Sequence, residues 1–259
     1  MTLIIGIRCT DGIVMGADGA ATLGTILGQG TVMQPVKKIQ TMAGKFMIGV
    51  SGSVGVGQRI AGQIGQLFNS NKLNSVKSFQ AMQLIRQDLA PILMPEIKYA
   101  TEAVQLTGGV SRQWALTQTL LSASVDGQLR LYCFGCTGEP EEMTDSIPFV
   151  AIGSGQNLAD PFLAFIKTIF WKDSVPNRAE GVFATFWALH HAIRRNTGGV
   201  ADPKQIVELY KDAQKNTVVK ELEPDELEET EENVKAAEDH LSQFKKNEGS
   251  PPPTAPIEN

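Results

Sequence analysis

The order in which hydrophobic periods arrive constrains this chain more than any other feature. Strand-like runs come in adjacent pairs about short turns: Leu3–Cys9 and Ile13–Ala17 around Thr10-Asp11-Gly12, Lys38–Met42 and Phe46–Ser51 around Ala43-Gly44-Lys45, and Leu116–Ser124 and Gln128–Gly135 around Asp126-Gly127. Helical runs also come in pairs. Val56, Ile60, Ile64 and Phe68 recur every four residues; Met82, Ile85, Leu89 and Ile92 mark a second helix that the reading ends before Pro95. After a strand at Pro148–Ile152 come two apolar helices, Leu158–Trp171 and Ala179–Arg195, then strands near Gln205–Tyr210 and Thr217–Leu222. Hairpins alternating with helix pairs exclude repeated βαβ units and point to packed sheets under helical layers.

The end of the chain has another character. From Glu221 to Asn259 there are 12 acidic and 3 basic residues, against 16 acidic and 20 basic before it. Pro224–Lys246 carries Leu227, Val234, Leu241 and Phe244 close to a heptad stripe, as in a solvated helix with one narrow contact face, and "GSPPPTAPIEN" has the composition of a disordered end. The expected division is a main domain over 2–222, an acidic helical extension over 223–246 and a Pro-rich tail over 247–259. No clustered basic and aromatic face suggests nucleic acid, and no run approaches the ~18–20 apolar residues of a membrane span. Leu3–Ile7 is shorter than a signal-peptide core and lacks a basic flank, and three cysteines make no disulfide scaffold, so a cytoplasmic location is expected.

Chemistry concentrates at the start. Removal of Met1, favoured before a small residue, would leave Thr2 with its hydroxyl beside its own α-amine; such an amine, with a reference pKa near ~8, can accept the hydroxyl proton. A hairpin returns Asp18, which follows the second strand, to the beginning of the first. Lys37 and Lys38 lead into a later strand. A lysine close to the threonine hydroxyl would lower the hydroxyl's effective pKa, and a carboxylate would keep that lysine charged and in place.

The runs "TLIIGIRCTDGIVMGADGAATLG", "KKI", "VSGSVGVGQ" and "AIGSG" resemble the proteasome β-subunit and heat-shock locus V peptidase family of N-terminal nucleophile hydrolases. "DGAATLG" leans toward the bacterial peptidase, and among bacterial branches the resemblance is to the proteasome homologue of β-proteobacterial type. The resemblance covers residues 2–220 and implies an α+β fold, the four-layer αββα sandwich. It implies Thr2 as nucleophile, Asp18 as carboxylate, Lys38 as the lysine, Gly52 as oxyanion donor through its backbone N–H, and Ser154 beside the threonine amine. Thr22 matches a residue whose backbone pairs with an extended substrate. Ala21, Val36, Val50 and Val54 fall where the family lines its first specificity pocket; all are uncharged, which implies cleavage after apolar residues. "RRNTGGVADP" departs from the family pattern: Thr197 stands in for a serine, Arg194 occupies the place of an aspartate, and Asn196 or Asp202 is left to substitute.

The expected activity is therefore that of a threonine endopeptidase without metal or organic cofactor. The expected partners are further copies of the chain in a stacked double ring, peptide or unfolded protein substrates, and an ATPase unfoldase. An inactive ring acting as a scaffold and a small-molecule amidase are the alternatives. Other motifs read as structural. "GSVGVG" lacks the Lys-Ser or Lys-Thr of a phosphate loop; Cys133 and Cys136 have no second pair for zinc; His190, His191, Trp171 and Trp187 lie in apolar helices and read as packing residues.

Overall fold

In a computed structural model the described residues are 2–24, 30–42, 44–73, 75–107, 117–172, 174–195 and 199–244. The chain divides into two compact units, Met1–Leu222 and Glu223–Asn259.

Among the described residues the first unit contains twelve strands, ten of them in two five-stranded sheets. β1 (Ile4–Arg8), β2 (Gly12–Ala17), β10 (Phe149–Ile152), β11 (Gln205–Lys211) and β12 (Thr217–Glu221) form one sheet in the order β10-β1-β2-β11-β12. β5 (Ile39–Met42), β6 (Phe46–Ser51), β7 (Gln118–Val125), β8 (Gln128–Phe134) and β9 (Pro140–Glu142) form the other in chain order. A separate pair, β3 (Ala20–Gly24) and β4 (Gly30–Pro35), stands beside them. Among the described residues every pairing is antiparallel. At the β7–β8 turn Asp126 and Gly127 both take positive φ, 52° and 73°, which matches a tight hairpin to the right-handed twist of its strands.

Alternation of side chains sorts the core into layers. Ile4, Ile13, Met15 and Ala17 of the first sheet meet Met47, Leu120 and Leu131 of the second in one buried cluster. The opposite face of the second sheet, with Phe46, Ile48, Leu121, Tyr132 and Phe134, packs on α1 (Val54–Asn69) and α2 (Ser78–Thr107). The opposite face of the first packs on α3 (Gln156–Ile166), which continues in a π-helical segment to Trp171, and on α4 (Arg178–Arg195). Both sheets are thus covered on two faces, which is why β1 and β2 read as nearly continuous apolar runs. The result is the expected αββα sandwich. Gly6 and Gly49 let the sheets approach: a Cβ on Gly6 would lie 3.0 Å from Leu131 and one on Gly49 2.9 Å from Ile4.

Three details differ from the sequence reading. α2 does not end before Pro95 but runs through Pro91 and Pro95 to Thr107. Each proline removes one helical hydrogen bond, yet the carbonyls left behind belong to Gln87 and Pro91, both exposed, where water can take the place of the missing donor. β3, β4 and β9 were not anticipated. The single helix expected over Leu158–Trp171 is α3 followed by the π-helical segment Lys167–Trp171. Trp171, Trp187 and His190 are buried, and His191 stacks on Phe162.

The second unit contains α5 (Pro224–Phe244). Pro224 opens it, Asp225 and Glu226 occupy its first turn, and the Glu226 carboxylate accepts the Glu223 N–H at 3.0 Å. These features satisfy and complement a helix N-terminus. Glu231 and Lys235 pair at 2.9 Å, one turn apart. The Pro-rich tail expected from 247 onward lies outside the described residues, as does Lys246.

Candidate active site

Thr2 lies two residues before the start of β1, and the fold clamps its backbone from two directions. On one side is the turn after β10. Gly155 N–H donates to the Thr2 carbonyl at 3.1 Å, and the Thr2 N–H donates to Ser154 Oγ at 3.1 Å, with Ser154 Oγ also 3.4 Å from that carbonyl. Gly153, at φ 94°, has no room for a side chain there: a Cβ would collide with the Thr2 carbonyl oxygen and with Ser51 Oγ. On the other side is Asp18, directly after β2. Its Oδ1 accepts the Leu3 N–H at 2.8 Å, while its own N–H donates to the Leu3 carbonyl at 3.2 Å. The β1–β2 register, Ile4 opposite Ala17, sets this exchange.

Asp18 is fully buried and its carboxylate is saturated. Oδ1 also accepts from Lys38 Nζ at 2.7 Å, and Oδ2 accepts the Ala20 and Ala201 N–H groups at 3.3 and 3.4 Å. Such a donor set accounts for a charged group in the core. Lys38 Nζ lies 3.4 Å from Thr2 Oγ1. Burial lowers the Lys38 pKa from its ordinary 10.5, and the charge and hydrogen bond of Asp18 pull the other way. The ammonium therefore stands between a buried carboxylate and a threonine hydroxyl. It can stabilise negative charge on the hydroxyl oxygen.

Thr2 and Lys38 open onto a pocket of about 310 Å³. Ala21, Val36, Val50, Gly52 and Val54 line it, together with Ile48 and Gly57. Gly52 sits at φ 131°, and a Cβ there would be 2.7 Å from Thr117 Oγ1 and 3.0 Å from Thr117 Cα, so both conformation and space require glycine. The structure thus brings together Thr2, Asp18, Lys38 and Ser154 at one end and Ala21, Val36, Val50, Gly52 and Val54 around the pocket. Thr22 is placed in β3, opposite Met33, with its backbone described. Thr197 and Asn196 lie outside the described residues. Asp202 does not join the site: its carboxylate is largely exposed and pairs with Lys204 at 2.7 Å. What that loop does supply is the Ala201 N–H to Asp18.

Sequence reasoning missed Gln40 and Gln58, which also line the pocket, and Gln205, which holds the backbone next to Lys38. A polar residue opening the strand-like run QIVELY was the one available signal for Gln205.

Residues 2–88 match the family model described as proteasome subunit. Comparison with curated protein sequences finds no match. Among solved structures, the chain is similar to Anbu, described as an ancestral beta-subunit, from Yersinia bercovieri, at 14% identity and TM-score 0.70 over 98% of this chain and 100% of that one. An Anbu (Gly-1) mutant from Hyphomicrobium sp. strain MC1 aligns at 18% identity and TM-score 0.66, covering 100% of both chains. The chain is also similar to Anbu of the helical assembly from Pseudomonas aeruginosa, at 15% identity and TM-score 0.70 over 97% of this chain and 98% of that one. At these identities the likeness concerns the fold, which is of the proteasome family and the N-terminal nucleophile hydrolase type.

Proposed function

We propose that the chain is a threonine endopeptidase of proteasome type, with Thr2 as its nucleophile once Met1 has been removed. The observation that carries this reading is the line of contacts at the pocket mouth, Thr2 Oγ1 to Lys38 Nζ at 3.4 Å and Lys38 Nζ to Asp18 Oδ1 at 2.7 Å. Thr2 Oγ attacks the scissile carbonyl carbon while the freed α-amine takes its proton. The amine returns that proton to the leaving nitrogen as the acyl ester forms, and water, deprotonated by the same amine, hydrolyses the ester. Ser154 steadies the amine, Lys38 favours the alkoxide, and the Gly52 N–H serves the oxyanion, where one preorganised donor is worth about 3–4 kcal/mol. We assign Thr197 the role of the family serine on its place in the sequence.

The apolar wall of Ala21, Val36, Val50 and Val54 favours an apolar residue immediately before the cut. Among the described residues β3 has β4 as its sole ladder partner, so its second edge offers Thr22 to an extended peptide. The chain works in the cytoplasm as a homo-oligomer on peptides or unfolded protein, fed by an ATPase unfoldase; its "DGAATLG" run leans toward the bacterial peptidase, and among bacterial branches we place it with the homologues of β-proteobacterial type. A double ring is our reading of the assembly; a helical arrangement, described for the P. aeruginosa complex, is the alternative when the repeated contact does not close. Residues 223–246 act as an acidic extension of the peptidase domain, and 247–259 as a solvated tail.

Peptides carrying a fluorogenic leaving group after an apolar, an acidic or a basic residue test the proposal. Turnover is expected with the apolar series and its loss in Thr2→Ala. Equal turnover by Thr2→Ala, or clear preference for a charged residue, would overturn the mechanism or the specificity respectively.

A further inference from the structure

Lys38 lies in an irregular stretch, Val36–Lys38, between β4 and β5, so no ladder of its own fixes its backbone. One end of the stretch is tied by the Val36 N–H to the Gly19 carbonyl at 2.8 Å. The other end, Ile39, opens β5, the outermost strand of its sheet, and its partner Gly49 lies on one side only. On the free side stands Gln205. Its Oε1 accepts the Ile39 N–H at 2.9 Å and its Nε2 donates to the Ile39 carbonyl at 3.0 Å, so one carboxamide satisfies both backbone groups, as a neighbouring strand would.

Gln205 is buried and opens β11 in the opposite sheet, in register with Ala17, the residue before Asp18. A single residue therefore links the strand that ends at Ala17, next to Asp18, through its backbone, to the residue that follows Lys38, through its side chain. Nε2 also donates to Glu221 Oε1 at 3.3 Å, and Glu221 Oε2 accepts from Lys37 Nζ at 2.9 Å. The adjacent lysines are thus sorted: Lys37 is held outward by Glu221, and Lys38 turns inward to Asp18 and Thr2.

We infer that Gln205 is a positioning residue for the peptidase centre, setting the height and direction of Lys38 relative to Thr2 by gripping Ile39 across the two sheets. This inference rests on the proposed peptidase reading. Gln205→Met keeps length and apolar volume but removes both hydrogen bonds to Ile39 and the one to Glu221; Gln205→Glu keeps the acceptor for the Ile39 N–H, loses the donor to its carbonyl and turns a carboxylate toward Glu221.

The test compares intact wild type, Gln205→Met, Gln205→Glu, Lys38→Met and the double variant Lys38→Met/Gln205→Met on an apolar fluorogenic peptide, with kcat counted per chain labelled by a peptide epoxyketone. Gln205→Met is expected to lower kcat per labelled chain about tenfold, near the value of one or two lost hydrogen bonds, with KM within about twofold. Gln205→Glu, which turns a buried carboxylate oxygen toward the Ile39 carbonyl and Glu221 Oε1, is expected to lose at least as much. In the Lys38→Met background the second substitution is expected to add no further loss, because its effect runs through Lys38. A role confined to stability would instead reduce the number of labelled chains and leave kcat per labelled chain unchanged in both Gln205 variants. That result, or full additivity with Lys38→Met, overturns the inference while the peptidase reading stands. Wild type that neither turns over nor labels overturns the peptidase reading, and this one with it.

Discussion

Replacing Asp18 with asparagine probes the centre most severely, because asparagine has the shape of aspartate and the wrong hydrogen-bonding pattern for this position. Asp18 receives four donors, Lys38 Nζ and the Leu3 N–H on Oδ1, and the Ala20 and Ala201 N–H groups on Oδ2. An asparagine has one accepting end. Either way it is turned, its NH₂ faces two donors. It also removes the negative charge from beside an ammonium whose side chain is 8% exposed, in a pair whose carboxylate is 0% exposed. Breaking a buried pair by removing one partner costs about 3–5 kcal/mol. In a domain of this size a loss of 1 kcal/mol lowers the melting temperature by about 2–4 °C, so Asp18→Asn should melt roughly 6–20 °C below wild type. Lys38→Met should destabilise less, since three backbone N–H groups still hold the Asp18 carboxylate. It should nevertheless lower kcat/KM about a hundredfold or more by removing the group beside Thr2 Oγ1. Thermal unfolding followed by circular dichroism at one protein concentration, with peptide turnover on the same samples, gives both rankings. Asp18→Asn melting within about 2 °C of wild type, or Lys38→Met proving the less stable of the two, would refute the reasoning.

Other substitutions separate geometry from charge. Gly52→Ala must hold an L-residue at φ 131° against Thr117 and should cost about 1–3 kcal/mol along with turnover, read by urea unfolding and kcat/KM. Ser154→Ala removes the acceptor of the Thr2 N–H at an exposed position. It should lower kcat about five- to thirtyfold, as expected for one hydrogen bond of ~1–2 kcal/mol, with a near-native melting temperature. The lowered pKa of Lys38 has a signed consequence. Between its folded value and the ordinary 10.5 the unfolded chain binds more protons, so this residue's contribution to stability rises with pH through that window. The unfolding free energy of wild type minus that of Lys38→Met should therefore slope upward on the alkaline side, and a flat or falling difference would contradict the burial of this group.

Much of the fold is legible because its strands come as hairpins with their own turn chemistry. Asp126-Gly127 and Thr10-Asp11-Gly12 mark reversals that local residue preference alone can specify. β3 and β4 escape notice because Ala20–Gly24 is mostly alanine, threonine and glycine, Gly30–Pro35 runs from a glycine to a proline, and neither shows clean alternation. β9, three residues reading PEE, has no apolar signal at all and exists through its pairing with β8. α2 passes two prolines because the carbonyls they orphan belong to exposed residues, which depends on which face of the helix is buried. At the site, Thr2, Asp18, Lys38 and Ser154 could be named from local motifs and a family resemblance. Gln205 could not, since its grip on Ile39 spans 166 positions and arises only when the two sheets stack.

The most direct test of the central claim is the intact mass of the native protein before and after a peptide epoxyketone, a reagent that bonds to both the hydroxyl and the amine of an N-terminal threonine. The account predicts chains lacking Met1 that each gain one inhibitor, and no gain in Thr2→Ala. Chains that retain Met1 and take up no inhibitor would contradict it and leave the fold as an inactive scaffold.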